Sequence, residues 1–277
     1  MSLLSVPLAC PVRSCHLPLQ PLAGAWVCAR GHAFDVARSG YVNLLQPQDR
    51  RSPDAGDSAE AVEARRRLLD AGIGTAILTA FVSRADSLMP GRDDVVADLG
   101  CGAGDALGLL HARRAAVSVG IDLSAAAVNL AARRFPAPTW VVANADRTLP
   151  LLDASVSLVL SLHARRNPGE CHRVLSPGGH LLAAVPAPDD LVELREAVQG
   201  SRIERDRVQD LIALHDADFD VIDRFAARER HQLSSDQLRD VLRGTYRGER
   251  ASDAARVQAL GSLTVTFASD VIVLRRR

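Results

Sequence analysis

The stretch Val95–Leu110, VVADLGCGAGDALGLL, constrains this chain more than any other. Val95, Val96, Ala97 and Leu99 form a short apolar run, as a strand buried on both faces requires. The run stops at Gly100-Cys101-Gly102-Ala103-Gly104 and gives way to a helical pattern ending near Arg113 and Arg114. Strand, glycine turn and helix open a βαβ unit, and the glycines let the backbone approach a ligand in dihedrals that a Cβ forbids. The spacing is D-x-G-x-G-x-G, with Asp98 at the strand end. It is neither GxGxxG nor the GxxxxGK[ST] phosphate loop, and the chain contains no lysine. A second apolar run, Ala116–Ile121, ends in Asp122, where a carboxylate can accept hydrogen bonds from a ribose diol.

The chain beyond this unit keeps alternating. Ser124 is a good N-cap for a helix to Arg134, and Thr139–Ala143 reads as a third strand. Val156–Ser161 reads as a fourth, and the turn Leu175–Gly179 leads into a fifth, His180–Val185. Asp189–Gln199 is helical by pattern. Phe219–Phe225 and Ser262–Leu274 alternate like a final antiparallel pair, with Ser234–Arg243 helical between them. This predicts the α/β class: a Rossmann-like, doubly wound sheet with a final antiparallel strand. Upstream, Gln46–Asp57 reads as a polar linker, and Ser58–Ala71 and Thr75–Leu88 as helices.

Asp98–Gly104 followed by Asp122 resembles the class I S-adenosylmethionine-dependent methyltransferases. The resemblance implies that Asp98, Gly100, Gly102, Gly104 and Asp122 bind the cofactor. It also places Asn144 and Asp146, just after the third strand, where these enzymes bind adenine; the sequence does not decide between the two.

The first 46 residues differ in texture. Cys10 and Cys15 are separated by four residues, Cys28 and His32 by three, with twelve between the pairs. Two close pairs on turns place four N/S donors around one tetrahedral Zn²⁺, and so short a segment has little core of its own. His16 is the competing ligand. Five cysteines are an odd number for a disulfide framework and suggest a reducing cytoplasm. The start of the chain lacks a signal-peptide pattern, and no apolar run is long enough to span a membrane. Thirty-three arginines balance 33 acids, so net charge points to neither nucleic acid nor membrane.

Gly31-His32-Ala33-Phe34-Asp35-Val36-Ala37, then Gly40-Tyr41-Val42-Asn43-Leu44-Leu45, narrows the reading. With the cysteines, and with Gly56-Asp57 through Ala64-Arg65, the chain resembles the 23S rRNA (guanine-N1)-methyltransferases. That group includes the macrolide-resistance enzymes of tylosin producers. Without the family, the GYVNLL block reads as part of a β-ribbon closing the zinc module. The resemblance implies a zinc-binding RNA-recognition module at 1–46, a linker and helical connector at 47–90, and a methyltransferase domain at 91–277. It further implies a 23S rRNA hairpin near the macrolide-binding exit tunnel as substrate, and a homodimer.

Methyl transfer leaves the protein to position the nucleophile and to receive the proton of guanine N1. Ligands of open α/β sheets sit at the carboxyl ends of the strands, so the loop after the fourth strand faces the methyl group. His163 is the candidate proton acceptor there, and Arg166 and Asn167 are candidates to hold the base or its phosphate. Four positions depart from the relatives. Ala164-Arg165 stands for Ala-Pro, Gly72-Ile73-Gly74 for Gly-His-Tyr, Asp190 for a histidine, and Arg243-Gly244-Thr245 for Met-x-Pro. The competing readings are a small-molecule methyltransferase and a non-catalytic cofactor-binding protein associated with RNA.

Overall fold

The computed structural model describes residues 6–49, 56–89, 91, 94–200, 206–245 and 251–277, so positions 50–55 of the polar linker lie outside it. Three short strands, β1 (Leu19–Leu22), β2 (Ala25–Cys28) and β3 (Ala33–Asp35), form an antiparallel ribbon. The chain continues through β4 (Tyr41–Asn43), α1 (Ala59–Asp70) and α2 (Thr75–Ser87). The alternating part follows as β5 (Val95–Leu99), α3 (Asp105–His111), β6 (Val117–Asp122), α4 (Ala125–Arg134) and β7 (Thr139–Val142). It proceeds through β8 (Val156–Leu162), α5 (Pro168–Val174), β9 (Leu175–Pro186), α6 (Val192–Gln199) and α7 (Val208–His215). The described chain closes with β10 (Phe219–Ser234), α8 (Ser235–Thr245), α9 (Ala251–Leu260) and β11 (Ser262–Arg276).

The main sheet runs β10-β11-β9-β8-β5-β6-β7-β4. Its pairs are parallel from β9 to β4, while β11 is antiparallel to both β9 and β10. Alternate residues of the central strands enter two cores, the period-two signature of a sheet covered on both faces. Val96, Trp140, Val142, Leu158 and Leu160 pack with Phe81 of α2, Leu107 of α3 and Val128 of α4. Ala97, Leu99, Ile121 and Val141 pack on the other face with Val174 of α5 and Leu211 of α7. Leu8, Cys10, Leu19 and Cys28 join that second core. The cysteine-bearing ribbon thus covers part of a sheet face where another helix would otherwise be needed.

Two strands depart from the expected layout. Ala33–Asp35 does close the ribbon, but Tyr41–Asn43 pairs parallel to β7, with Val42 opposite Val141. Val42 and Leu44 are almost wholly buried there, because this addition covers the open edge of β7 and its apolar margin. On the other side, β10 runs nine residues past Phe225, through Arg228, Glu229, Arg230 and His231. Arg228 and Arg230 lie on the exposed side of this edge strand, while Phe225, Ala227, Glu229, His231 and Leu233 share the covered side, where Glu229 pairs with His231 (3.2 Å).

The β10–β11 hairpin consequently outreaches β9, which pairs only with Ser269–Arg275. Its projecting half carries a third apolar cluster of Leu68 and Ile73 with Leu191, Leu194, Leu238, Val257 and Val265. This lobe extends beyond the carboxyl end of β9. It is clamped to α1 by Arg67, whose guanidinium bonds both carboxylate oxygens of Asp240 (2.9 and 2.6 Å). Among the described residues no single helix is long and apolar enough to cross a membrane.

Candidate functional site

The glycine turn after β5 is fastened to β6. Gly100 and Cys101 donate to the Ile121 carbonyl (2.8 and 3.1 Å), and the Gly102 N–H donates to Asp122 Oδ2 (2.9 Å). Gly100, Gly102 and Gly104 all have positive φ, and each meets different surroundings. A Cβ on Gly100 would lie 2.3 Å from Ala164 Cβ, and one on Gly104 would lie 2.6 Å from the Trp140 ring. A Cβ on Gly102 would have nothing within 4 Å. Gly100 and Gly104 therefore serve close packing, whereas Gly102 faces open space.

Two carboxylates flank that space. Asp98 is 2% exposed, and no donor among the described residues hydrogen-bonds its carboxyl. Burial, helped by the negative charges of Asp122 and Asp105, pushes its pKa up to about 7. Asp122 accepts from Gly102 N and, through Oδ1, from Ser124 N (2.8 Å). Burial raises its pKa, and the two backbone N–H groups oppose the rise. A buried acid beside a second acid suits a ligand that brings its own positive charge, as a sulfonium bearing an amino acid does.

Above Asp122 lies Gly56, whose backbone approaches so closely that a Cβ would sit 2.7 Å from Ser124 N. Ser124 Oγ donates to the Asp57 carbonyl (2.7 Å), and the Asp57 carboxylate pairs with Arg65 (2.5 Å). Arg65 also donates to the Gly244 carbonyl (2.8 Å), tying this corner to α8. The Gly-Asp followed by Ala-Arg is therefore architectural: it anchors the connector to the turn after Asp122.

Beyond β7, Asn144 is committed internally. Its Nδ2 donates to the Asp49 carbonyl (2.9 Å) and its Oδ1 accepts from Asp146 N (3.0 Å). The Asp146 carboxylate is partly exposed and lies 3.6 Å from Arg165, which joins this end of the cleft to the loop after β8. In that loop, His163 has φ 56° and shares a 2.8 Å hydrogen bond between Nε2 and Ser269 Oγ. Desolvation, with Arg207 adding, pushes its pKa down to about 4. Arg166 donates to Ser161 Oγ (3.2 Å) and the Ala164 carbonyl (3.1 Å), and its Nε is buried without a partner. Burial lowers its pKa. Asn167 caps α5, its Oδ1 accepting from Glu170 N (3.3 Å). Both side chains thus have partners in the loop or in the elements that flank it.

Cys10, Cys15, Cys28 and His32 bring one ligand atom each to within 4.8 Å of one another. Cys15 and Cys28 sulfurs are 3.8 Å apart, and His32 Nδ1 is 3.4 Å from the sulfurs of both Cys10 and Cys28. A tetrahedral Zn²⁺ with bonds of about 2.3 Å to sulfur and 2.0 Å to nitrogen sets edges of roughly 3.8 and 3.5 Å. The donor set fits zinc. His16 takes no part: its Nε2 faces Asp153 (3.4 Å) and Arg173 (3.2 Å). Two neighbours of His163 carried no sequence motif, Ser269 and Arg207; only the fold brings them there.

A zinc-ribbon family model, described as "RlmA, N-terminal", matches residues 8–53, and a methyltransferase-domain model matches residues 96–179. A crystal structure of the YcgJ protein from Bacillus subtilis is 16% identical and superposes with a TM-score of 0.52, covering 72% of this chain and 99% of its own. Fold and site define a class I S-adenosylmethionine-dependent methyltransferase that carries a zinc ribbon. The 23S rRNA (guanine(748)-N(1))-methyltransferase of Streptomyces fradiae is 35% identical over 240 residues, 85% of this chain and 83% of its own. A Micromonospora griseorubida protein with a 23S rRNA (guanine-N(1)-)-methyltransferase name is 34% identical over 286 residues, covering 94% of both. The chain belongs to the 23S rRNA (guanine-N1)-methyltransferase family.

Proposed function

We propose that this enzyme methylates N1 of a guanine in a 23S rRNA hairpin loop lining the macrolide-binding exit tunnel, and that macrolide resistance is its biological use. The observation that carries the reading is the 35% identity to the Streptomyces fradiae enzyme over 85% of this chain, zinc ribbon included.

When bound, the cofactor supplies a methyl group on a sulfonium whose departure is already activated. Asp98 would face the cofactor's positive charge, the open backbone at Gly102 would contact it directly, and Asp122 would accept from the ribose hydroxyls. Asp146 is the better adenine partner, because Asn144 is already committed on both sides of its amide. Arg166 and Asn167 shape the loop that receives the base. A base in a hairpin must turn out of its stack before N1 is reachable, and the apolar lobe above β9 supplies a wall for it.

The ribbon contributes an RNA surface. An open cavity of about 430 Å³, lined by Arg38, Ser39, Tyr41, Asn129 and Arg133, lies between the ribbon's last turn and α4, away from the cofactor cleft. Neither Arg38 nor Arg133 has an acidic partner among the described residues, which suits a phosphate with a base on the tyrosine ring. Homodimerisation belongs to the same reading; sedimentation at micromolar concentration tests it. The function is tested by incubating the protein and tritiated cofactor with 16S and 23S rRNA from a strain lacking the gene. Label is expected in 23S rRNA alone, as N1-methylguanosine after digestion; label in neither RNA contradicts the proposal.

A further inference from the structure

Alkylation of guanine N1 requires that its proton leave, and two titratable side chains stand at the carboxyl ends of the strands beyond the methyl site. His163, after β8, has Nε2 engaged by Ser269, and its pKa near 4 makes it a weak acceptor. Asp190 follows β9, in a turn that is pinned to β11 at successive points. Ala187 N–H donates to the Ala268 carbonyl (3.0 Å), and Ala268 N–H donates to Asp190 Oδ1 (2.9 Å). Leu191, at φ 52°, donates to the Thr266 carbonyl (2.8 Å), and Glu193 accepts from both Thr266 N–H (3.0 Å) and Thr266 Oγ1 (2.7 Å). Non-glycine residues hold such a φ only where surrounding contacts impose it.

This stitching sets Asp190 against Ala268, the residue next to His163's partner Ser269. One carboxylate oxygen is oriented by a backbone donor. The other, Oδ2, has no hydrogen bond among the described residues. We propose that Asp190 is the proton acceptor for guanine N1, an assignment that rests on the guanine-N1 reading above. N1 bonds to the methyl carbon as the carbon–sulfur bond breaks and its electron pair returns to sulfur. The N1 proton passes to Oδ2, and the neutral carboxyl releases it to water once the RNA leaves.

The surroundings suit that role. Burial lifts the Asp190 pKa to about 6, Asp189 adding to the rise; the Ala268 N–H and the charges of Arg195 and Arg207 oppose it. Asp189 is itself paired with Arg228 of β10 (2.9 Å). At pH 7 a group of pKa about 6 is ionised roughly ten to one, yet is a stronger base than an exposed carboxylate.

The test is single-turnover methylation of 23S rRNA from the deletion strain, as a function of pH. The wild-type rate should rise through about pH 6 and level off. Asp190→Asn keeps an oxygen for the Ala268 N–H, so the turn persists. It should slow transfer by roughly 10²- to 10⁴-fold with cofactor and RNA affinity unchanged. Its residual rate should climb about tenfold per pH unit above neutrality, as guanine loses its proton to solvent instead. Asp190→Glu should recover part of the rate. An Asn variant within threefold of wild type, or a wild-type rate flat from pH 5 to 8, overturns the assignment; the flat profile decides even if the variant does not fold. Wild-type protein that leaves 23S rRNA unlabelled overturns the substrate reading and this inference together.

Discussion

Replacing Gly102 by alanine separates a ligand-facing glycine from a packing one. The φ of Gly102 is 55°, so any side chain there incurs the left-handed penalty of about 1–2 kcal/mol. Nothing lies within 4 Å of the added Cβ, so no packing cost is added, and the N–H that Asp122 accepts is retained. At roughly 2–4 °C per kcal/mol, the melting temperature should fall by roughly 2 to 8 °C. The methyl group would project into the cofactor's contact surface, where overpacking costs about 1–3 kcal/mol, or roughly 5- to 150-fold in affinity. Gly104→Ala is the counterpart. Its φ is 84° and its Cβ would lie 2.6 Å from Trp140 and 2.9 Å from Ala131, so the two costs add to roughly 2–5 kcal/mol of stability. Calorimetric titration with S-adenosylmethionine and a thermal melt on each variant decide the matter. A Gly102→Ala protein with wild-type cofactor affinity would refute the placement of the cofactor over this turn.

Three further outcomes follow from the same structure. Asp98 has a folded pKa near 7, raised above an unfolded value of about 3.9, so the ligand-free fold loses stability as pH rises between those values. Because a cation favours the ionised form, cofactor affinity should weaken about tenfold per pH unit below 7, and Asp98→Asn should flatten that dependence in calorimetry. Elemental analysis should find one zinc per chain. Cys28→Ser should lower the melting temperature of the whole protein, since Cys28 shares a core with Ile121 and Val141; a metal-free variant that melts unchanged contradicts this. Arg38→Ala and Arg133→Ala should each reduce the salt slope of RNA binding by about one while leaving cofactor affinity intact, as filter binding at several salt concentrations would show.

The central strands were legible because a parallel strand buried on both faces is an apolar run, and because Asp98–Gly104 has few other uses. Asp122 and the Ser124 cap were legible for the same local reasons. Tyr41–Asn43 was not: three residues show no period, and their partner β7 lies about a hundred positions later. The second half of β10 was hidden by charges that an edge strand tolerates, and the lobe built on it was hidden with it. Helix α7 went unread as well. In the site, His16 and His32 were equal as residue types, and only the ion-pair surroundings of His16 separate them. Ile73, which departs from the relatives, proves to be a buried member of the lobe rather than a residue facing the cleft. Asp190 was visible as a departure, but its support by Ala268 depends on a contact 78 positions away.

The central claim is that the methyl group is placed on the Watson–Crick edge of a guanine in 23S rRNA. Such a methyl group blocks pairing, so reverse transcription of cellular 23S rRNA reports it directly. Extension on wild-type rRNA should stop one nucleotide before a guanine in a hairpin loop lining the exit tunnel, and should read through on rRNA from the deletion strain. Identical extension across all of 23S rRNA from both strains would contradict the account.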